Sequence, residues 1–403
     1  MSVWGPLAER FDGKEKEQHR LLTIDGGGIR GVLALAILSE LEKKLAAAHG
    51  VPASEYRLSD FFDYVAGTST GAVIAAAVAR GLPLDRVLKF YTDAGPGLFD
   101  SSFLNVAKNV LKRGSAFDAR ILADELQDMF GAETTLEPQY LKCLLLAVTR
   151  NQTTDSPWPI SSNPQAKYND PSRDDSNIKM ALWRFLRAST AAPGVFEGQE
   201  IKFGESEVTN EFLFVDGGVT PHNNPAWLLF RMATEPGYRL NWATGEDKMM
   251  IVSVGTGTSP KGDDGVLPPK NPLKRLAGSR KVLGALIQGS MVDQDTNCRH
   301  IGRCVHGEKL DGEIGDMVPR AENGERIPLS QDLGRKFLYA RYNAMLSEEG
   351  LDEIGLGDID AKKVQGLNSV GYINDLLRIG KRIAEDIDLN DFATFMPPGF
   401  RSS

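Results

Sequence analysis

Leu21-Leu-Thr-Ile-Asp25-Gly-Gly-Gly28-Ile-Arg30-Gly31 decides how the rest of the chain is read. A β-type apolar run ends in Asp25, three glycines follow, and an apolar helical pattern begins at Val32. Strand, tight turn and helix in that order open an α/β unit. Consecutive glycines let the backbone turn sharply and aim bare N–H groups at a negative charge, which the dipole of the following helix also favours. Two anions suit such a loop: a bound phosphate, or the oxyanion formed transiently in acyl transfer.

The same alternation continues downstream. Leu35, Leu38, Leu41 and Leu45 recur at steps of three and four, which predicts a helix over Val32–Ala48. Phe61–Ala66 reads as a strand, and Ala72–Ala79 as a small-residue helix ended by Gly81 and Pro83. Leu84–Thr92, Ala119–Phe130, Met180–Ser189 and Pro225–Thr234 read as helices. Leu141–Val148, Phe212–Val215 and Met249–Val254 read as strands. The last closes in Gly255-Thr-Gly257, a plain turn or a phosphate contact, before the Gly/Pro-rich loop Ser259–Pro272. Asn151–Asn177 lacks periodicity. The pattern predicts an α/β domain with a largely parallel sheet, whose ligands bind beyond the carboxyl ends of the strands. Asp25, Ser69 and Asp216 all fall at such ends. Residues 1–19 read as a loosely ordered lead-in and 20–278 as the catalytic domain. Residues 279–403 read as a helix-rich region that packs on or completes that domain, with helices at Lys281–Val292, Leu333–Leu346 and Tyr372–Asp386.

Composition narrows the function classes. A net charge of −8 over 403 residues disfavours a nucleic-acid polymer as partner, although the stretch Lys270–Lys281 is locally basic. Cys143, Cys298 and Cys304 cannot all pair within one chain, which suits a reducing compartment. Met1–Arg20 is largely polar and charged, so no secretion signal is read there and a cytoplasmic location is expected. The longest apolar stretches, such as Val32–Leu38 and Ala72–Ala79, fall short of the roughly 20 residues that span a bilayer. Cys298-x-His300 and Cys304-x-His306 read as one buried strand face rather than a zinc site, because zinc ligands usually come as separated pairs with a turn inside each. The acidic stretch Glu385–Asp391 reads as a solvated face.

Gly67-Thr68-Ser69-Thr70-Gly71 matches the nucleophile-elbow pattern, with a strand before it and a helix after it. The serine needs a base. None of the five histidines lies in a Gly-rich, loop-like setting that announces a triad partner; His222, in Thr-Pro-His222-Asn-Asn-Pro, is the best of them, and the reading of a plain loop histidine suits it better. Asp216, in Asp216-Gly-Gly at a strand end, is the better candidate, since a carboxylate there could take the serine proton directly. Two rivals stay open: a Ser-His-Asp esterase or thioesterase, and a non-catalytic module whose glycine loop binds a nucleotide phosphate. The loop lacks the Gly-Lys-Ser/Thr ending of a P-loop.

Together, Asp25-Gly-Gly-Gly-Ile-Arg-Gly31, Gly67-Thr-Ser-Thr-Gly71, Ala188-Ser-Thr-Ala-Ala-Pro193 and Asp216-Gly-Gly218 resemble, in this order, the patatin-like phospholipase family. The resemblance covers about Leu21 to Ala226 and implies a three-layer α/β/α fold around a mainly parallel central sheet. It implies Ser69 as nucleophile and Asp216 as general base of a dyad, with the N–H groups of Gly26, Gly27 and Gly28 as oxyanion hole. It leaves Arg30 either bracing that loop or meeting a lipid phosphate. The family hydrolyses fatty-acyl esters of glycerolipids and needs neither calcium nor a catalytic histidine, so no metal or other cofactor is expected and the implied partner is membrane phospholipid. On that reading Asn151–Asn177 is a lid over the acyl groove or a surface insertion, with Trp158 its large apolar anchor. The chain also resembles bacterial members switched on by cyclic di- or trinucleotides in antiphage defence. That likeness implies a cyclic nucleotide activator, action on the inner face of the membrane, and room for a homo-oligomer.

Overall fold

The computed structural model describes residues 2–12, 17–95, 98, 119–193, 195–204, 210–259 and 272–400. Among the described residues nine strands form one sheet: β1 (His19–Ile24), β2 (Tyr64–Thr68), β3 (Leu144–Asn151), β4 (Ser156–Ser161), β5 (Gln199–Phe203), β6 (Asn210–Asp216), β7 (Met249–Val254), β8 (Arg303–His306) and β9 (Leu338–Tyr342). The order is β5-β6-β3-β2-β1-β7-β9-β8, with β4 paired to β3. From β3 to β8 every neighbouring pair is parallel; β4, β5 and β6 run antiparallel to their neighbours.

The principal helices are α1 (Gly31–Ala48), α2 (Thr70–Arg80), α3 (Ala119–Phe130), α4 (Leu182–Ser189), α5 (Ala226–Thr234), α6 (Pro272–Ile301) and α7 (Ile373–Glu385). Alternate strand residues face opposite layers. Leu22, Val65, Leu145 and Val252 join α1, α2, α4 and α7 in one core, whereas Leu21, Tyr64, Leu146 and Ile251 join α5 and the end of α6 in the other. The α/β/α layering implied by the family resemblance is therefore present. α7 seats on α1 at Gly380, where a Cβ would stand 2.4 Å from the Leu33 carbonyl oxygen.

Several expectations need correction. The lead-in is tied down: Trp4 and Leu7 are buried, and the Arg10 guanidinium bonds Asp63 and the carbonyls of Ser59, Phe62 and Lys142. Asn151–Asn177 is not an irregular loop throughout. Its first part is β4, paired with β3 from Leu146↔Ser161 to Asn151↔Ser156, and Trp158 packs on Phe203, Phe212 and Phe214 of β5 and β6. Leu333–Leu346 is not a helix. It contains β9, whose Leu-Tyr-Ala-Arg-Tyr run is buried on both faces between β7 and β8, and short apolar runs of that kind satisfy helix and strand periodicity alike. Cys298 and His300 lie on α6 and Cys304 and His306 on β8, so a helix–strand junction separates the two pairs. The region after 278 thus adds strands to the sheet as well as helices. Within Glu385–Asp391, Asp391 is partly covered and faces Arg326 at 3.3 Å. The interior of the loop Ser259–Pro272, and the side chains of the basic stretch Lys270–Lys281, lie outside the described residues.

Candidate active site

One edge of β3 assembles the site. Leu146–Val148 pair with β2 and β4 at once, so those strands lie on opposite edges of β3. Thr149–Asn151 pair with β4 and β6 at once, so β6 shares the β2 edge. β2 comes up that edge and ends at Thr68 opposite Val148; β6 comes down it and ends at Asp216 opposite Thr149. Two strands running towards each other along one neighbour meet end to end, and the residues at the junction are Ser69 and Asp216.

Ser69 sits at φ 55°, ψ −124°, a conformation that a residue with a side chain adopts only where its surroundings hold it. The turn is that tight because neighbouring backbones crowd it. A Cβ at Gly67 would stand 2.0 Å from the Gly71 carbonyl oxygen, and one at Gly71 would stand 2.2 Å from that of Ile24. The Ser69 N–H donates to Ser189 Oγ at 2.9 Å, and the Ser189 hydroxyl donates to the Val148 carbonyl at 2.7 Å. The end of α4 also holds the partner, since the Asp216 N–H donates to the Ala191 carbonyl at 3.0 Å.

The Ser69 hydroxyl donates to Asp216 Oδ2 at 2.7 Å, while Asp216 Oδ1 accepts the Gly218 N–H at 2.6 Å. Burial pushes the Asp216 carboxyl up to about 6, against the pull of those two hydrogen bonds. His222 does not join the pair: its carbonyl accepts the Thr68 hydroxyl at 2.6 Å, and burial lowers its ring pKa.

The glycine loop lies beside this pair at the end of β1. The Gly26 N–H donates to the Asn223 carbonyl at 3.1 Å, so Gly26 is not a free donor as expected from the sequence. No described backbone or side-chain acceptor takes the N–H of Gly27 or Gly28. Gly28 has φ +59°, where a side chain would be strained, and its Cβ would stand 2.4 Å from the Leu367 carbonyl oxygen. Arg30 is buried; its Nη1 donates to Ser259 Oγ at 2.9 Å and more weakly to the Gln365 carbonyl. Burial pulls its pKa down to about 10, with Asp25 opposing. Of the two roles considered for Arg30, bracing the loop is the one these contacts describe.

Four residues of the site escaped the sequence reading. Asn223 clamps Gly26 from both sides, accepting its N–H and sending Nδ2 towards its carbonyl at 3.3 Å. Thr256, in the Gly-Thr-Gly turn, donates its hydroxyl to the same carbonyl at 2.8 Å. Ser189 lies in the segment Ala188–Pro193, whose sequence marked it without a role. Arg341, on β9, pairs with Asp25 at 2.6 Å, and no sequence signal connects residues so far apart.

A family model described as patatin-like phospholipase matches residues 22–230, just over half the chain. The chain is 27% identical over 263 residues to patatin-15 of Solanum tuberosum, covering 62% of this chain and 63% of that protein. It is 29% identical over 218 residues to a cGAMP-activated phospholipase of Escherichia coli, covering 53% of this chain and 55% of the other. A cGAMP-activated phospholipase of Vibrio cholerae is 29% identical over 233 residues, with 55% and 60% covered. The chain thus spans less than two thirds of the length of the relatives it matches.

Proposed function

The chain belongs to the patatin-like phospholipase family, and from that membership we propose that it hydrolyses fatty-acyl esters of membrane phospholipids through Ser69 and Asp216. The observation that carries this reading is the 2.7 Å hydrogen bond from the Ser69 hydroxyl to Asp216, made at a strained strand-to-helix turn. Ser69 Oγ attacks the ester carbonyl as its proton passes to Asp216 Oδ2. The N–H groups of Gly27 and Gly28 receive the tetrahedral oxyanion, with Gly26 and Arg30 holding the loop. Collapse expels the alcohol, which takes the proton from Asp216. A water, deprotonated by Asp216, then releases the fatty acid from Ser69 by the same steps. A carboxyl near 6 suits this alternation, because a base works best when its pKa lies close to the working pH.

The finer reading is regulation. Two relatives are named for activation by cGAMP, and this chain is proposed to respond to a cyclic di- or trinucleotide and to act peripherally on the inner membrane surface in antiphage defence. Among the described residues no helix is long and apolar enough to cross a membrane. The test incubates wild type and Ser69→Ala with mixed phospholipids, with and without a panel of cyclic nucleotides, and identifies products by mass spectrometry. Free fatty acid from wild type but not from Ser69→Ala, increased by one panel member, is the expected result. Equal release with every nucleotide removes the activator, and no release under any condition removes the hydrolase.

A further inference from the structure

Behind the glycine loop lies an ion pair contributed by the far end of the chain. Asp25, the residue before Gly26, is fully buried, and its two oxygens face Arg341 Nη2 at 2.6 Å and Nη1 at 3.3 Å. Arg341 stands on β9 opposite Ser253 of β7, and its guanidinium passes that residue, donating to Ser253 Oγ at 2.7 Å, to reach the end of β1. Other charges face the pair from three sides. Asp295 of α6 lies 3.6 Å from Arg341 Nε, Glu308 after β8 lies 4.0 Å away, and Arg30 approaches Asp25 from the turn beyond the glycines. Burial pushes the Asp25 carboxyl up, with Arg341 pulling it back. Burial also opposes the Arg341 charge, but Asp25 and Asp295 outweigh it.

We propose that Arg341 is a positioning residue for the acyl-transfer site, aiming Asp25 behind the glycine loop and cancelling its charge beside the developing oxyanion. This rests on the hydrolase reading above. The main chain at this point is already tied, Asp25 N–H to the Val254 carbonyl and Gly26 N–H to that of Asn223. What Arg341 adds is the direction and charge balance of the carboxylate that directly precedes the loop in the chain. An unpaired carboxylate behind a forming oxyanion repels it; for two unit charges about 6 Å apart at an effective dielectric near 20, Coulomb's law corresponds to a slowing on the order of 100-fold.

The experiment compares wild type, Ser69→Ala, Arg341→Met, Arg341→Lys, Asp25→Asn and the Asp25→Asn/Arg341→Met double variant on a soluble short-chain ester. Each is followed as kcat and KM from pH 5 to 9, with a thermal melt. Arg341→Met is expected to lose about 100-fold in kcat with KM within about threefold. That loss is the alkaline limit: it should grow as pH rises and Asp25, left without a partner, ionises. The double variant should recover about tenfold and lose that alkaline decline, because the charge Arg341 balanced is gone. Should Arg341→Met fail to fold, Arg341→Lys and Asp25→Asn carry the test: each keeps the loop free of an unpaired carboxylate and should retain at least about a tenth of wild-type kcat without an alkaline decline. A folded Arg341→Met with wild-type kcat and pH profile overturns the proposal, as does a folded double variant no faster than the single. So does a folded Asp25→Asn as inactive as Ser69→Ala. An inactive wild type strikes instead at the hydrolase reading.

Discussion

Asp216 carries its charge where burial disfavours it, which links its chemistry to stability. A carboxyl raised from an ordinary 3.8 to about 6 prefers the protonated form in the folded protein. Its contribution to stability is therefore full below about pH 4 and is lost as pH rises through 6. Two pH units correspond to about 3 kcal/mol. Replacing Asp216 with Asn removes this dependence, so urea melts of both proteins at pH 4 and pH 7 should show the wild type losing about 2–3 kcal/mol relative to the variant across that interval. The variant should also be at least about 1,000-fold slower in ester hydrolysis. A stability difference that stays constant with pH would show that Asp216 is not raised.

β3 is the element on which the site depends. It runs past the end of β2 by Thr149–Asn151, and this overhang lets an antiparallel β6 deliver Asp216 to the rim that the parallel strands reach with Ser69. β4 covers the other edge of the overhang, and Trp158 anchors it, stacked on Phe203 at 6.0 Å and edge-on to Phe214 at 5.4 Å. Trp158→Ala should lower stability by about 2–4 kcal/mol through lost packing. At a temperature where the variant stays folded, its kcat on a soluble ester should remain within a few-fold of wild type. A variant that is as stable as wild type yet altered in kcat would restore the lid in place of the strand. Asn151–Asn177 reads as a loop because it is rich in Ser, Asn, Asp and Pro, and proline in a run, as at Pro157 and Pro159, argues against a strand except at an edge; β4, which among the described residues pairs only with β3, is such an edge.

At the scale of the molecule, the C-terminal region completes what the glycine loop begins. β9 covers the edge of β7, α7 covers α1, and Arg341 reaches Asp25. A chain ending at Gly302 would leave β7 as an open edge, strip α1 of its partner and bury an uncompensated carboxylate at Asp25. It should aggregate or melt without cooperativity, as followed by circular dichroism and size-exclusion chromatography. A monomeric fragment with a sharp transition would mean that the N-terminal part folds without β8, β9 and α7.

The sequence by itself determined the local parts. Strand, glycine turn and helix at Leu21–Ala48 and again around Ser69 follow from residue chemistry over a few positions, because only glycine fits those turns and apolar periodicity declares the buried faces. Ser69, Asp216 and the glycine loop were legible as candidates for that reason. Tertiary structure alone decided which donors are free and what balances the charge. Gly26 loses its N–H to Asn223, 197 residues away, and Asp25 finds its counter-ion 316 residues away, on a run that reads as helix until β7 and β8 enclose it. Hydrogen bonds and ion pairs between distant segments leave no periodic trace, so they emerge only when the sheet closes the distance.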